Sequence, residues 1–432
     1  MRASARADMR SLGAALLAIL LAGGALLSCF GCSAQKTSDY RGSIETSDGT
    51  VLAESVQRGS SWVRAYSQSQ MARQLVGDCN VESGSEGLED QYAEELLAGT
   101  SLHLTLESGV QSACEEALAE KSGSAVVLDP ATGAVLAMAS HAQGEGNSAP
   151  SEEDTLLNRA VHARVPGSTF KTITLSAALR SGISINDEYG APATLSLRDG
   201  NVTNAGAKGY GNISLSDAYA YSANTVFAQL SFSLGVPALQ EEARRFGFDE
   251  PLAQDIACDE STIENADGMG LLDQAWCGVG QALFRDGDTF GPVVTPLQMA
   301  AVAAVFANGG TLYAPYVVAE MRDSGGGVVS TGGPKVLNAG FLSDGAFAGI
   351  SDSMRGVGGY GTGTDAAVPG VAVAGKTGTA ETSSLRDDGW FMGFAVKDGR
   401  SIAYCVCLQD STSAEAAAAS ASIVAGVFGQ SR

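Results

Sequence analysis

Three short motifs lie in a fixed order along the chain, and together they carry the groups needed for acyl transfer. They are residues 168–171 (STFK), residues 222–224 (SAN) and residues 376–379 (KTGT). A serine hydroxyl can attack a carbonyl carbon when a neighbouring neutral amine takes its proton, and a second cation can hold a substrate carboxylate. The set therefore predicts catalysis through a covalent serine ester, with no histidine required.

The first motif is expected at the start of a helix. Ser168 follows a Pro-Gly pair, and an apolar pattern of helical period continues after it. In a first helical turn, free backbone N–H groups and the helix dipole favour developing negative charge. Lys171 lies one turn further on the same face, where apolar surroundings would lower its pKa and free a neutral amine to act as the base. Residues 33–36 (SAQK) fit the same pattern, but no helix follows them.

The second motif supplies a hydroxyl and an amide. Ser222 is expected to relay a proton between the base and a leaving nitrogen, and Asn224 to donate a hydrogen bond to the substrate backbone. Residues 184–186 (SIN) also fit this short pattern. Because they come at the tail of the helix that carries Lys171, we interpret them as a turn.

The third motif is expected on a strand, where an extended substrate can pair with the backbone. Gly378 would let that backbone approach closely. Lys376 and the hydroxyls of Thr377 and Thr379 can bind a terminal carboxylate. The Thr379 N–H can join the Ser168 N–H as an oxyanion hole, which stabilises the charge that develops during attack.

The order of the predicted elements favours an α+β fold in which the two ends of one domain close an antiparallel sheet. Strand patterns flank a long helical region, and they cover residues 101–106, 125–128, 134–138, 371–374, 390–396 and 402–408. An alanine-rich helix is predicted at 414–427. Residues 36–100 are polar and are predicted to form a small extended N-terminal module, which leaves residues 101–432 as the catalytic domain.

Residues 1–35 are predicted to be a membrane anchor or a lipoprotein signal. Three arginines precede an apolar run at 12–30, which is close to the length that spans a bilayer. Basic residues before the run and acidic residues after it predict that the N-terminus lies inside. Cys29, in the sequence LLSC, is a candidate lipidation site. An uncleaved anchor, a lipidated Cys29 and a cleaved leader all fit, and the first two place the catalytic domain on the outer face of the cytoplasmic membrane.

Composition excludes some partners and cofactors. The net charge of −22 is unsuited to neutralising phosphates, so nucleic acid is not an expected partner. Export permits disulfides, and Cys258 with Cys277 is the most plausible pair. Cys405 and Cys407 lie two apart on a predicted strand and are interpreted as core residues. None of the six cysteines beyond the leader has the C-x-x-C spacing typical of a zinc site, so no metal and no cofactor are predicted.

With these motifs the chain resembles the class B penicillin-binding proteins, the peptidoglycan D,D-transpeptidases, and within them the short actinobacterial penicillin-binding protein A type. The resemblance also rests on residues 40–44 (YRGSI), 48–53 (DGTVLA), 87–96, 129–138 (DPATGAVLAM), 295–300 (TPLQMA), 307–310 (ANGG) and 390–394 (WFMGF). It implies a penicillin-binding protein/serine β-lactamase-like transpeptidase fold. The chain departs from the family at residues 280–282 (GQA), where Gly-Gln-Gly is common, and in an apparent insertion at 284–291.

The resemblance implies a serine acyl-enzyme cycle. Ser168 would attack the D-Ala-D-Ala bond of a stem peptide with Lys171 as base, and D-Ala would leave. An amine of a neighbouring stem peptide would then take up the acyl group. β-Lactams would acylate the same serine. A glycosyltransferase or a component of the division or elongation machinery is the implied protein partner.

Other functions remain open from the sequence. A D,D-carboxypeptidase would pass the acyl group to water, and a class D-like serine β-lactamase would hydrolyse β-lactams. The N-terminal module argues against the β-lactamase, because a soluble hydrolase has no use for a membrane-proximal spacer. The non-enzyme alternative is a penicillin sensor or division scaffold that keeps the fold without turnover.

Overall fold

A computed structural model describes residues 35–37, 40–67, 69–79, 87–144, 149–381 and 387–429. The predicted leader, including Cys29, lies outside these residues except for its last residue, Gln35, which begins a strand. Across the described ranges, no helix combines the length and the apolar character that a membrane crossing requires.

Helices and strands alternate along most of the described chain. The helices are α1 Arg73–Val76, α2 Leu88–Gln91, α3 Ala93–Leu97, α4 Ser108–Leu118, α5 Glu152–Leu156, α6 Lys171–Arg180, α7 Leu215–Ala220, α8 Asn224–Leu234, α9 Val236–Arg245, α10 Leu271–Val279, α11 Pro296–Ala307, α12 Asp344–Gly359 and α13 Ser413–Gly429. The strands are β1 Gln35–Thr37, β2 Ile44–Glu45, β3 Val51–Arg58, β4 Ser61–Tyr66, β5 Ser101–Leu104, β6 Gly123–Leu128, β7 Val135–His141, β8 Glu188–Ala191, β9 Thr194–Leu197, β10 Gly200–Thr203, β11 Gly211–Ser214, β12 Thr262–Glu264, β13 Leu283–Arg285, β14 Asp288–Val293, β15 Thr311–Tyr313, β16 Val318–Arg322, β17 Val328–Thr331, β18 Val336–Ala339, β19 Ala372–Glu381, β20 Asp387–Lys397 and β21 Arg400–Leu408.

The catalytic part is built on a five-stranded antiparallel sheet with the order β19-β20-β21-β6-β7. Its strands come from both ends of the predicted domain, so the α+β prediction is confirmed. Alternate side chains of β21 enter two separate cores: Tyr404 and Val406 pack with α4 and α13, whereas Cys405 and Cys407 face the helical side. This is the period of two that a strand covered on both faces requires.

Helix α11 forms the centre of the helical side. Its side chains are buried from Pro296 to Phe306, and it packs against β20, β21 and β6. The helix begins where the Thr295 side chain accepts a hydrogen bond from the backbone N–H of Gln298 at 3.0 Å. Such an N-cap satisfies one of the free N–H groups of the first turn. A helix buried on all sides in this way is a core element that fixes the sheet beneath the active site.

A second sheet joins the N-terminal module to the catalytic part. Its order is β1-β4-β3-β2-β5-β16-β17, with a parallel pair at β2 and β5 and antiparallel pairs elsewhere. Strands β16 and β17 come from residues 318–331, more than two hundred positions after β5. The predicted domain boundary at residue 100 stays a prediction, since the same sheet extends on both sides of it.

A buried ion cluster holds the module together. The carboxylate of Glu89 accepts from Arg64 Nε at 2.6 Å and from Arg41 Nη1 at 3.1 Å. Arg64 Nη1 also donates to the carbonyl of Gly42 at 2.8 Å. The side chains of Glu89 and Arg64 have no exposed surface. A single carboxylate therefore compensates two buried guanidinium groups.

The predicted disulfide between Cys258 and Cys277 is wrong, because both residues carry free thiols. Cys277 is buried within α10, where burial raises its pKa to about 12. The sulfur of Cys258 instead lies 3.7 Å from Thr295 Oγ1. Proximity in the chain suggested the pair, but Cys277 is buried within α10 and Cys258 contacts Thr295. Both Cys405 and Cys407 are core residues, as predicted.

The apparent insertion folds as a hairpin. Strands β13 and β14 pair antiparallel, and β14 also pairs with β12 to give a three-stranded sheet. Arg285 on this hairpin contacts Asp273 of α10 through an ion pair at 2.5 Å. The insertion is therefore attached to the helix that precedes the loop at 280–282.

Candidate active site

The first motif forms a tight turn that leads directly into α6. Ser168 lies in a single 3₁₀ turn at Gly167–Phe170, and Lys171 begins the α-helix. Side chains three apart eclipse one another in 3₁₀ geometry. The Nζ of Lys171 accordingly lies 2.7 Å from the Oγ of Ser168. Lys171 has no exposed surface, whereas Ser168 is half-buried, so the hydroxyl can meet a substrate while its neighbouring amine stays dry.

The second motif surrounds the Lys171 amine with oxygen atoms. Ser222 lies between α7 and α8, and Asn224 begins α8. Lys171 Nζ is 2.7 Å from Asn224 Oδ1, and 3.1 Å from both the carbonyl and the Oγ of Ser222. The Asn224 Nδ2 donates to the Thr203 carbonyl at 2.8 Å, which turns its oxygen toward the lysine. Ser222 has a φ of 58°, an uncommon conformation for a residue with a side chain and typical of strained functional loops.

Lys376, in the third motif, contacts Ser222 of the second motif. Its Nζ donates to Ser222 Oγ at 3.0 Å and to the Thr377 carbonyl at 2.9 Å. The Tyr219 ring lies beneath this amine, with its centroid 5.6 Å away. Lys376 is fully buried in the free enzyme. The structure thus brings together all three motifs, which the sequence separates by more than two hundred positions.

Burial sets the protonation of both lysines. It lowers the pKa of Lys171 well below the usual value, and the nearby charge of Lys376 lowers that pKa further. Burial also lowers the pKa of Lys376 to about 7. The lowered pKa favours a neutral Lys171 amine more than in an exposed lysine, and the pKa of Lys376 lies near neutral pH.

A neutral Lys171 amine has two N–H groups and one lone pair. The Asn224 Oδ1 and the Ser222 carbonyl can only accept hydrogen bonds, so they use the two N–H groups. The lone pair is then left for the hydroxyl proton of Ser168 at 2.7 Å. This arrangement is what a general base requires before it activates a nucleophile.

The third motif lies on β19, which is an edge strand of the five-stranded sheet. Thr377 is buried and Thr379 is half-buried. A side chain at Gly378 would meet the carbonyl oxygen of Pro166 at 2.7 Å and the Thr169 methyl group at 2.9 Å. Glycine is therefore needed for the nucleophile turn to pack against the strand. Among the described residues, no strand pairs with the edge of β19 that faces away from β20, so this edge can pair with an extended ligand.

Sequence reasoning missed three residues of the site. Thr362 Oγ1 lies 2.5 Å from Thr377 Oγ1, and the Tyr219 hydroxyl lies 2.8 Å from Thr172 Oγ1. Gln281 belongs to the stretch that departs from the family pattern, and its side chain contacts β19. A glycine-rich stretch at 356–363 is the one signal that marked the loop of Thr362. The other two contacts have no local signature.

Comparison with known proteins assigns the chain to a family. Residues 123–429 match the penicillin binding protein transpeptidase domain, and residues 41–124 match the penicillin binding protein A dimerisation domain. The first match alone covers more than half of the chain. The chain belongs to the penicillin-binding protein transpeptidase family.

Individual relatives agree with this assignment. The peptidoglycan D,D-transpeptidase PbpA of Mycolicibacterium smegmatis is 29% identical over 426 residues, which cover 86% of this chain and 84% of that protein. The D,D-transpeptidase domain of a peptidoglycan glycosyltransferase from Eggerthella lenta is similar with a TM-score of 0.84 and 32% identity, over 91% of this chain and 99% of that chain. Penicillin-binding protein A from M. tuberculosis, solved as an imipenem acyl-enzyme, gives a TM-score of 0.80 and 25% identity, over 90% of this chain and 99% of that chain. The chain is therefore a D,D-transpeptidase of the serine acyltransferase type.

Proposed function

We propose that this enzyme cross-links peptidoglycan stem peptides, with Ser168 as nucleophile and Lys171 as base. The observation that carries the proposal is the contact of 2.7 Å between a buried amine, whose pKa burial lowers, and a half-buried hydroxyl. In the first step the Ser168 oxygen bonds to the penultimate D-Ala carbonyl carbon while its proton passes to Lys171. The C–N bond to the terminal D-Ala then breaks, and the proton passes through Ser222 to the leaving nitrogen.

The second step reverses these transfers. An amine of a neighbouring stem peptide bonds to the acyl carbon and gives a proton to Lys171. The ester C–O bond breaks, and the proton returns to the Ser168 oxygen. Atoms and charges balance over the cycle, which uses no cofactor. The same base serves both half-reactions because the forward and reverse proton transfers share one geometry.

The donor is held at its terminal carboxylate. We assign this role to Lys376 with the hydroxyls of Thr377 and Thr379. A bound carboxylate beside Lys376 would favour its charged form and so raise its pKa above the value of about 7 in the free enzyme. The backbone N–H groups of Thr379 and Ser168 form the proposed oxyanion hole, with Gly378 keeping the strand close to the nucleophile turn.

Benzylpenicillin provides the direct test. Incubation with the enzyme is expected to add one penicilloyl group per chain, and tandem mass spectrometry is expected to locate it on Ser168. The Ser168→Ala variant is expected to remain unlabelled. A synthetic donor ending in D-Ala-D-Ala, supplied with and without an acceptor amine, then separates transfer from hydrolysis. Labelling at another residue, or release of free acid alone despite saturating amine, would refute the proposal.

Tethering to the membrane is a second part of the proposal. The basic and apolar pattern of residues 1–35 supports an anchor or a lipid at Cys29, with the catalytic domain outside the cytoplasmic membrane. A membrane glycosyltransferase or a protein of the division or elongation machinery is the proposed partner. Mass spectrometry of the mature N-terminus in the membrane fraction distinguishes an intact leader, a lipidated Cys29 and a cleaved chain. Recovery of the cleaved chain in the soluble fraction would exclude the tether.

A further inference from the structure

The side chain of Gln281 pairs with the open edge of β19 as a neighbouring strand would. Its Nε2 donates to the Thr379 carbonyl at 3.0 Å, and its Oε1 accepts from the backbone N–H of Glu381 at 3.2 Å. One carboxamide thus uses one acceptor and one donor of the strand. The carboxamide therefore bonds to Thr379, the residue whose N–H is proposed for the oxyanion hole.

The two edge groups that Gln281 uses are the ones a donor peptide would need. In an antiparallel pair, one residue exchanges both its N–H and its C=O with the residue opposite. A donor whose scissile carbonyl accepts from the Thr379 N–H would therefore direct its own amide N–H at the Thr379 carbonyl. Its next inward-facing carbonyl would meet the Glu381 N–H. In the free enzyme Gln281 is hydrogen-bonded to both of these groups.

The backbone of Gln281 is held firmly in this position. Its N–H donates to the Trp276 carbonyl at 3.0 Å, at the end of α10. The preceding residue, Gly280, packs so tightly on the nucleophile turn that a Cβ there would lie 2.0 Å from the Gly167 carbonyl oxygen. The hairpin at 283–293 follows at once. The carboxamide is therefore presented to β19 from a fixed support instead of a loose loop.

We propose that Gln281 is a specificity-determining residue, because its side chain competes with the donor amide for the Thr379 carbonyl. The donor peptide then cannot pair with β19 beyond Thr379 unless it displaces this side chain. The inference rests on the proposed function, since it takes Ser168 and Thr379 as the reacting side. Ligands that present an amide N–H next to the reactive carbonyl must share or displace the Gln281 hydrogen bond. Ligands without that N–H do not compete with Gln281, so their acylation rate should not depend on its hydrogen bond.

Two β-lactams provide this comparison. Benzylpenicillin carries an acylamide N–H beside its lactam ring, whereas imipenem carries a hydroxyethyl group there. The quantity to measure is the ratio of their second-order acylation rates, followed by mass spectrometry of Ser168. Gln281→Ala removes the competitor, so the ratio of benzylpenicillin to imipenem is expected to rise about 2- to 10-fold, the range of one net hydrogen bond.

A second substitution separates competition for the Thr379 carbonyl from loss of the hydrogen bond to the Glu381 N–H. In Gln281→Glu the carboxylate can still accept from the Glu381 N–H but cannot donate to the Thr379 carbonyl. The ratio is again expected to rise, while both absolute rates fall because a negative charge lies near the developing oxyanion. Gln254→Ala is the matched control, since the Gln254 side chain likewise makes two hydrogen bonds to the backbone in a different part of the domain, donating to carbonyls at 3.1 and 3.0 Å. It is expected to change neither the ratio nor the rates.

The outcomes are distinct. An unchanged or lowered ratio in both Gln281 variants, with wild-type acylation at Ser168 intact, would overturn this inference and leave the proposed function standing. Absence of wild-type acylation at Ser168 by both compounds would overturn the proposed function itself. If the alanine variant fails to fold, the glutamate variant alone decides, because its ratio is predicted to move in the same direction.

Discussion

The Oγ of Ser222 accepts a hydrogen bond from the Nζ of Lys376 at 3.0 Å, although the two residues are 154 positions apart. The same hydroxyl lies 3.1 Å from the Nζ of Lys171. A proton taken by Lys171 can therefore reach a leaving nitrogen through one hydroxyl, whose position is fixed by a second amine. The loop of Ser222 is the element that couples the nucleophile helix to the edge strand.

Replacing the base is expected to slow acylation without removing the nucleophile. Lys171→Ala deletes the amine that lies 2.7 Å from Ser168 Oγ. The rate of acylation by benzylpenicillin is expected to fall about 10²- to 10⁴-fold, the usual contribution of a positioned general base. Stopped-flow or gel-based labelling measures the rate. Lys335→Ala, at an exposed lysine, serves as the control and should label like the wild type. Equal rates in both variants would contradict the role of Lys171.

The acylation rate of the free enzyme is expected to follow a bell-shaped pH profile. As the pH falls through the lowered pKa of Lys171, the amine gains a proton and can no longer accept one, so the rate drops on the acid side. As the pH rises through the Lys376 pKa of about 7, the cation that holds the carboxylate is lost, so the rate drops on the alkaline side. The second-order acylation rate, followed from about pH 5 to pH 10, measures both limbs.

The alkaline limb can be assigned with one further variant. In Lys376→Arg the guanidinium stays charged throughout this range, so the alkaline drop is expected to disappear even if the overall rate is lower. An alkaline limb that persists at the same pH in the variant would mean that another group titrates there.

A methyl group at position 378 is expected to separate the nucleophile from the strand. Gly378→Ala places a Cβ 2.7 Å from the Pro166 carbonyl oxygen and 3.0 Å from the Trp390 Cβ. Overpacking of this kind costs about 1–3 kcal/mol of unfolding free energy, and the shifted strand should also slow acylation. Thermal unfolding and labelling measure the two effects. Gly333→Ala is the control, because a Cβ there meets nothing within 4 Å. Two variants with equal melting temperatures and rates would refute the close-approach argument.

The ion cluster of the N-terminal module is expected to control stability. Glu89→Gln leaves Arg41 and Arg64 buried without their carboxylate. Removing one partner of a buried ion pair typically costs about 3–5 kcal/mol, so the midpoint of chemical denaturation should fall clearly. Glu54→Gln, at an exposed position of β3, is the matched control and should leave the midpoint unchanged. A stable Glu89 variant would show that the arginines find other compensation.

The sequence was most informative where local pattern and motif coincide. The strand patterns at 390–396 and 402–408 predict β20 and β21, and the alanine-rich pattern at 414–427 predicts α13. Ser168 and Lys171 are three apart, so helical geometry already implied their contact. In each of these cases neighbours in the chain are also neighbours in space.

Predictions were weakest where the contact depends on the whole fold. No local feature of Gln281 indicates that its carboxamide reaches Thr379, because the contact spans 98 positions. The proximity of Cys258 and Cys277 in the chain suggested a disulfide, yet both thiols are free and Cys277 is buried in a helix. Pairing of β5 with β16 likewise required the register of a sheet assembled from distant segments.

That shared sheet also dictates the order in which the protein can mature. Strand β5 has only its β2 neighbour until residues 318–322 are available to form β16. During synthesis one edge of β5 therefore stays unpaired, and the sheet is completed only after most of the catalytic part has been made. The N-terminal module and the catalytic part therefore share one hydrogen-bonded sheet, which joins them more firmly than a free linker would.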